Sequence, residues 1–203
     1  MHFRPPFILR CIFPTLIWQF PEQENGLFLT FDDGPSPEVT PWVLEQLDMF
    51  GAPATFFCLG KNAEMYPQIY AEILHRGHAV GNHSYSHIKG WGMDTGDYIR
   101  DVDMAAEFIE SNLFRPPYGR IGPHQAKMLS ERYRIIMWDV LSRDYSRSLS
   151  GRRCAKNVIK HLRPGAVVVF HDSVKSSQNL RYALPLVLQA IQERGWECKR
   201  IEL

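Results

Sequence analysis

Cysteine is scarce in this sequence and badly placed for joint work. The four residues, Cys11, Cys58, Cys154 and Cys198, lie far apart, and no two form a CxxC pair. That spacing excludes a zinc ribbon or a dithiol redox motif, and it argues for no particular disulfide. Cys58 stands in an apolar run and reads as a buried thiol. Charge of one sign is also missing. A formal net charge of +1 supplies no broad field to draw nucleic acid or anionic lipid to the surface, so a ligand must be recognised locally. A long apolar run is absent as well. The richest stretch, Phe7 to Phe20, is interrupted by Arg10 and Pro14 and falls short of the ~20 residues that span a bilayer. No small-residue cleavage site follows it, so it is not a clear signal peptide. Residues 1–25 read as an N-terminal segment packed on the domain, with membrane-surface contact through residues 7–20 as the alternative. Without an export signal, the expected location is the cytoplasm or the cytoplasmic membrane face. There is no linker, repeat or low-complexity segment, and residues 26–203 read as one domain.

What is present is the composition of an ordinary folded chain. The 203 residues are 45% apolar and 22% charged, enough for one domain with a large core. Strand and helix signals alternate along it. Gly26 to Phe31 reads as a strand. Pro37 to Phe50 reads as a helix, with Ser36 as its N-cap. Ala54 to Leu59 is a second strand, Asn62 to Arg76 a helix closed by Gly77, and His78 to Gly81 a third strand. A helix runs from about Asp97 to Ser111, and another covers Pro123 to Arg132. Arg134 to Val140 is one β-prone run, Ser150 to Leu162 a helix, Ala166 to Phe170 a strand and Tyr182 to Arg194 the last helix, with Trp196 to Leu203 as a final strand. About seven strands alternating with about six helices predict an α/β fold with a parallel sheet, as an open doubly wound sheet or a closed or distorted barrel. Polar residues gather at the C-terminal ends of the strands, where such folds collect their chemistry.

Four segments supply those residues. In Thr30-Phe31-Asp32-Asp33-Gly34-Pro35 two carboxylates meet at a strand end, an arrangement that needs a cation or donors to offset repulsion. The bland reading is a turn plus a helix cap. In His83-Ser84-Tyr85-Ser86-His87 the two imidazoles share a face if the stretch makes a helical turn, so both could reach one ion. Arg115-Pro116-Pro117-Tyr118-Gly119 holds a guanidinium and the Tyr118 N–H on a stiff backbone, suited to orienting a carboxylate. Val167-Val168-Val169-Phe170-His171-Asp172 is an apolar strand that delivers a histidine, the side chain best matched to proton transfer near neutral pH. Two histidines and a carboxylate also leave coordination positions open, the mark of a catalytic rather than a structural metal site.

TFDDGP, HSYSH, RPPY and VFHD, in this order, resemble the polysaccharide deacetylase family, also called the NodB-homology domain or carbohydrate esterase family four. The resemblance covers Leu27 to Leu203. It implies a distorted (β/α) barrel and a hydrolase that removes acetyl groups from N- or O-acetylated carbohydrate. It further implies one divalent ion, zinc above cobalt, nickel or manganese, held by Asp33, His83 and His87. Asp32 would be the general base, Arg115 would orient it, His171 would be the general acid, and the Tyr118 N–H would bind the oxyanion. Tyr145 and Pro116 would face the sugar. One segment departs from the family pattern, Asp-x-x-Asp-Trp. Leu141 stands for the first aspartate, which in the family supports the histidine, and Tyr145 stands for the tryptophan. Asp139 or Asp144 would then orient His171. The competing readings are a non-catalytic sugar-binding relative, favoured by Leu141, and a metal-dependent amidase acting on a small amide. The expected partner is an acetylated carbohydrate, with no nucleic acid.

Overall fold

Strand β1 (Gly26–Asp32) is buried along its whole length, so GLFLTFD meets apolar neighbours on both faces, as the central strand of a parallel sheet must. The computed structural model describes residues 13–202. After β1 come α1 (Thr40–Met49), β2 (Thr55–Cys58), α2 (Gly60–Met65), α3 (Pro67–His75), β3 (Ala79–Asn82), α4 (Thr95–Ala106) and β4 (Leu113–Phe114). A single 3₁₀ turn (Pro117–Gly119) leads to α5 (Pro123–Leu129), β5 (Arg134–Ile135), β6 (Val140–Leu141), α6 (Gly151–His161), β7 (Val167–His171), α7 (Ser177–Glu193) and β8 (Glu197–Cys198).

The sheet order is β5-β4-β3-β2-β1-β7-β6, with β8 paired to β1. Every one of these pairings is parallel. Seven parallel strands thus make a curled, incompletely closed barrel with helices outside it, the distorted (β/α) barrel that the motifs implied. The N-terminal segment runs between the end of β5 and the start of β7. Ile17 bridges to Ile136 and Gln19 to Ala166, while Leu16, Trp18 and Phe20 are buried. Those three side chains point into the domain. Residues 7–12 of the stretch considered for membrane-surface contact, and Cys11, lie outside the described residues. No helix among the described residues is long and apolar enough to cross a membrane. Cys58, Cys154 and Cys198 are free thiols.

Several boundaries differ from the sequence reading for identifiable reasons. The helix expected from Asn62 to Arg76 is broken at Tyr66, because Pro67 lacks an N–H and bars α geometry from the residue before it. The helix expected from Pro37 begins at Thr40. Ser36 is not its N-cap: the Ser36 N–H donates to the Thr40 hydroxyl at 2.7 Å. The run Arg134 to Val140 is two strands. Its backbone changes partner midway, with Ile136 N–H donating to Phe114 on the β4 side and Asp139 N–H to Val167 on the β7 side. Asp144 therefore follows the sixth strand and His171 ends the seventh. The C-terminal strand is only two residues long.

Candidate active site

The polar motifs converge at the C-terminal rim of the barrel. Thr30 and Asp32 are two apart on β1 and share a face. Arg115, just past β4, reaches both: its Nη1 donates to Thr30 Oγ1 and to Asp32 Oδ1, each at 2.7 Å. Its Nε donates to the Ile136 carbonyl at 3.1 Å and its Nη2 to the Met137 carbonyl at 2.9 Å. The guanidinium also lies 4.0 Å from the Phe57 ring centroid. The arginine is fully buried, which is tolerable only because its charge is paired and its donors are used. Asp32 is thereby fixed through one oxygen, and among the described residues no donor reaches the other.

Asp33 turns out of the strand with φ 79°, a left-handed backbone, and its carbonyl accepts the Asn62 side-chain amide at 2.8 Å. The HSYSH segment is not a helical turn. Ser84 and His87 both adopt positive φ, 64° and 60°, and the Ser84 hydroxyl accepts the His87 N–H at 3.1 Å. The loop so formed folds His87 back beside His83, with ring centroids 5.3 Å apart. The His83 Nδ1–H donates to the Arg115 carbonyl at 2.7 Å. That bond fixes the tautomer and leaves Nε2 unprotonated and free to ligate. His83 Nε2 lies 3.7 Å from Asp33 Oδ1 and His87 Nε2 lies 3.2 Å from it. One ligand atom from each of the three residues falls within 4.8 Å of the others. Asp33 Oδ1 is buried and makes no hydrogen bond of standard geometry, with His87 Nε2 beside it. An orphaned carboxylate oxygen between two imidazoles fits a cation.

The electrostatics agree with that fit. Burial works to raise the Asp33 carboxyl, but the His87, His171 and His83 rings hold it well below the usual carboxylate range. Burial lowers His83 to about 4, so the ring is neutral at ordinary pH.

Across the cavity, Asp144 holds His171. Its Oδ1 accepts the ring Nδ1–H at 2.8 Å and its Oδ2 accepts the His171 backbone N–H at 2.8 Å. Burial pulls the imidazolium pKa down, yet the Asp144 carboxylate, with Asp33 and Asp32 behind it, lifts His171 to about 9. The Tyr145 ring meets His171 edge-on at 4.9 Å. Tyr118 also has positive φ, 59°. The next two N–H groups of its turn bond back to Pro116 and Pro117, whereas the Tyr118 N–H has no acceptor among the described residues.

The polysaccharide deacetylase model matches residues 21–132. The chain belongs to the polysaccharide deacetylase family. A peptidoglycan-N-acetylglucosamine deacetylase of Bacillus cereus is 34% identical over 160 residues, 75% of this chain and 58% of that relative, so the chain spans little more than half of it. A chitooligosaccharide deacetylase of Azorhizobium caulinodans is 28% identical over 194 residues, covering 86% of this chain and 92% of the relative. A solved peptidoglycan N-acetylglucosamine deacetylase superposes with a TM-score of 0.86 at 29% identity, covering 97% of this chain and 95% of that one.

Within this deacetylase fold the departures are small. Leu141 leaves no gap in the support of His171, because Asp144 performs it alone. Asp139 does not orient His171. It is buried and paired with Arg163, whose Nε and Nη2 each reach it at 2.9 Å. Pro116 is buried in its turn and offers a sugar little surface, whereas Tyr145 stays half-exposed. Four supporting residues escaped the sequence reading. Thr30 shares Arg115. Asn62 ties the Asp33 backbone. Asn179 donates to the Asp144 carbonyl at 2.8 Å. Thr40 donates to Asp172 Oδ2 at 2.6 Å. Only Thr30 carried a sequence signal, its strand spacing from Asp32.

Proposed function

We propose that this protein is a divalent-metal-dependent deacetylase of N-acetylated glycans, of the peptidoglycan or chitooligosaccharide class on which its named relatives act. The observation that carries this reading is the meeting of three ligand atoms from Asp33, His83 and His87 with two proton-transfer groups, Asp32 and the Asp144-paired His171. Asp33, His83 and His87 would hold the ion, and their nitrogen and oxygen donors suit zinc, with cobalt, nickel or manganese as substitutes. When bound, such an ion polarises an acyl oxygen and makes a neighbouring water more acidic.

The chain's own residues divide the remaining work. Asp32, held through Oδ1 by Arg115, takes a proton from the attacking water through its free oxygen. A C–O bond forms, and the developing oxyanion is met by the unpartnered Tyr118 N–H. His171 is locked through Nδ1 to Asp144, so Nε2 faces the reaction. It donates its proton to the amide nitrogen as the C–N bond breaks, releasing acetate and a free amine. A pKa of about 9 keeps that proton in place at neutral pH. Asp32, Arg115, His171 and the three residues Asp33, His83 and His87 stand together at one rim, which weighs against a sugar-binding relative without chemistry.

Acetate release from N-acetylglucosamine oligomers and acetylated xylan, assayed with chelator and with added zinc, tests the reading. Zinc-dependent release supports it. Zinc bound at one equivalent with no release from any glycan would remove it.

A further inference from the structure

A groove of about 430 Å³ opens directly from the ligand set, with His87, Trp91, Met93, Tyr118, Lys89 and Arg120 along its walls. His87 and Tyr118 form the shared edge, their ring centroids 4.6 Å apart. Trp91 is 52% exposed, Met93 37% and Tyr118 61%. Large apolar side chains left this open, side by side, suit a flat ligand with apolar faces, and a pyranose ring is one. Trp91 is held in place: its indole N–H donates to the Ile121 carbonyl at 3.0 Å.

The groove's charge is one-sided. Lys89 and Arg120 line it, and no acidic side chain does. The Arg120 guanidinium lies over the Trp91 ring at 5.6 Å, and neither cation has an acidic partner among the described residues. The nearest acid in sequence, Asp94, is occupied elsewhere, capping α4 through the Asp97 N–H at 3.1 Å.

We propose that this groove is a subsite for a carboxylate-bearing sugar joined to the one being deacetylated, with Trp91 and Tyr118 against the ring and Lys89 and Arg120 facing the carboxylate. The inference rests on the deacetylase reading and narrows it, favouring an anionic glycan, in which acidic and N-acetyl sugars alternate, over a neutral N-acetylglucosamine oligomer. Two cations on one wall, with no acid to offset them, would be idle against a neutral chain.

The test is calorimetric binding to the full chain. The probes are an alternating N-acetylglucosamine–N-acetylmuramic acid tetrasaccharide and the same molecule with its carboxylates methyl-esterified, each at low and high salt. The acid form is expected to bind about fivefold tighter than the ester at low salt, a rim ion-pair effect that salt screens. K89Q/R120Q should lose that preference, and Trp91→Ala should weaken both probes. Equal affinity for acid and ester, a preference that survives K89Q/R120Q, or no measurable binding of either probe would overturn the proposal. Acetate release measured in parallel separates the two readings. A binding preference without release sinks the deacetylase and leaves the subsite. Release from neutral oligomers with no difference between acid and ester does the reverse.

Discussion

Asp144 grips His171 twice, once at the ring Nδ1 and once at the backbone N–H, each at 2.8 Å. The double contact fixes where the ring stands and which nitrogen faces the cavity. The same carboxylate lifts the imidazolium to about 9 against the pull of burial.

Asp144→Asn should therefore move the alkaline limb of the kcat/KM profile. His171 must be protonated to act as an acid, so wild-type activity should hold to about pH 9 and fall above it. In the variant the limb should drop toward the ordinary histidine value of ~6.5. An unmoved limb would dissociate His171 from the acid role. Stability follows the same sign: the contribution of the raised pKa is complete below ~6.5 and is lost as pH rises through about 9. Denaturant midpoints at pH 6 and pH 9 should differ less in Asp144→Asn than in wild type.

Asp32→Asn should keep the ion and lose the chemistry. The metal content of the purified variant should stay near that of wild type, while kcat falls ~10²- to 10⁴-fold, the usual range for a general base. Metal analysis together with steady-state kinetics checks both halves, and an unchanged kcat would take the base role from Asp32.

His83→Ala and His87→Ala should each lower zinc stoichiometry, as read by equilibrium dialysis. The His83 variant also frees the Arg115 carbonyl, so its melting temperature should fall further than that of the His87 variant. Full zinc occupancy in either would contradict the three-ligand set.

Arg115→Met should destabilise the fold as well as abolish activity. It leaves the Asp32 carboxylate buried without its counter-ion, which costs about 3–5 kcal/mol. Arg115→Lys keeps a charge but cannot reach Thr30, Asp32, Ile136 and Met137 together, so it should recover only part of the loss. Urea denaturation of the three proteins measures this order.

How much of this was legible in the sequence depended on whether a feature was local. Strand ends carrying Asp32, Asp33, His83 and His171 could be read because an apolar run ending in a polar residue is a local pattern. Asp144 could only be offered beside Asp139, since choosing between them requires knowing that the chain changes partner from β4 to β7 near Trp138. Arg163, which occupies Asp139, lies 24 residues away. The HSYSH geometry is out of reach of the sequence for a related reason. A four-residue spacing suggests a helical turn, but the segment reaches the same convergence through two left-handed residues, Ser84 and His87. The break at Tyr66, by contrast, is a local consequence of Pro67.

Five non-glycine residues among those described have positive φ: Asp33, Ser84, His87, Tyr118 and Arg143. Four of them belong to the loops that carry Asp33, His83, His87 and the open Tyr118 N–H. Such conformations cost of order 1 kcal/mol or more each, and glycine would relieve them. Glycine at Ser84, however, deletes the hydroxyl that receives the His87 N–H, and glycine at Asp33 or His87 removes a side chain of the proposed metal set. Backbone comfort and chemistry therefore compete at the same positions. Directed evolution that rewarded thermal tolerance alone would gain at these sites by dismantling them and would arrive at a sturdier, inert barrel. A library built to toughen this protein should hold Asp33, Ser84 and His87 fixed and look for its gains in the outer helices.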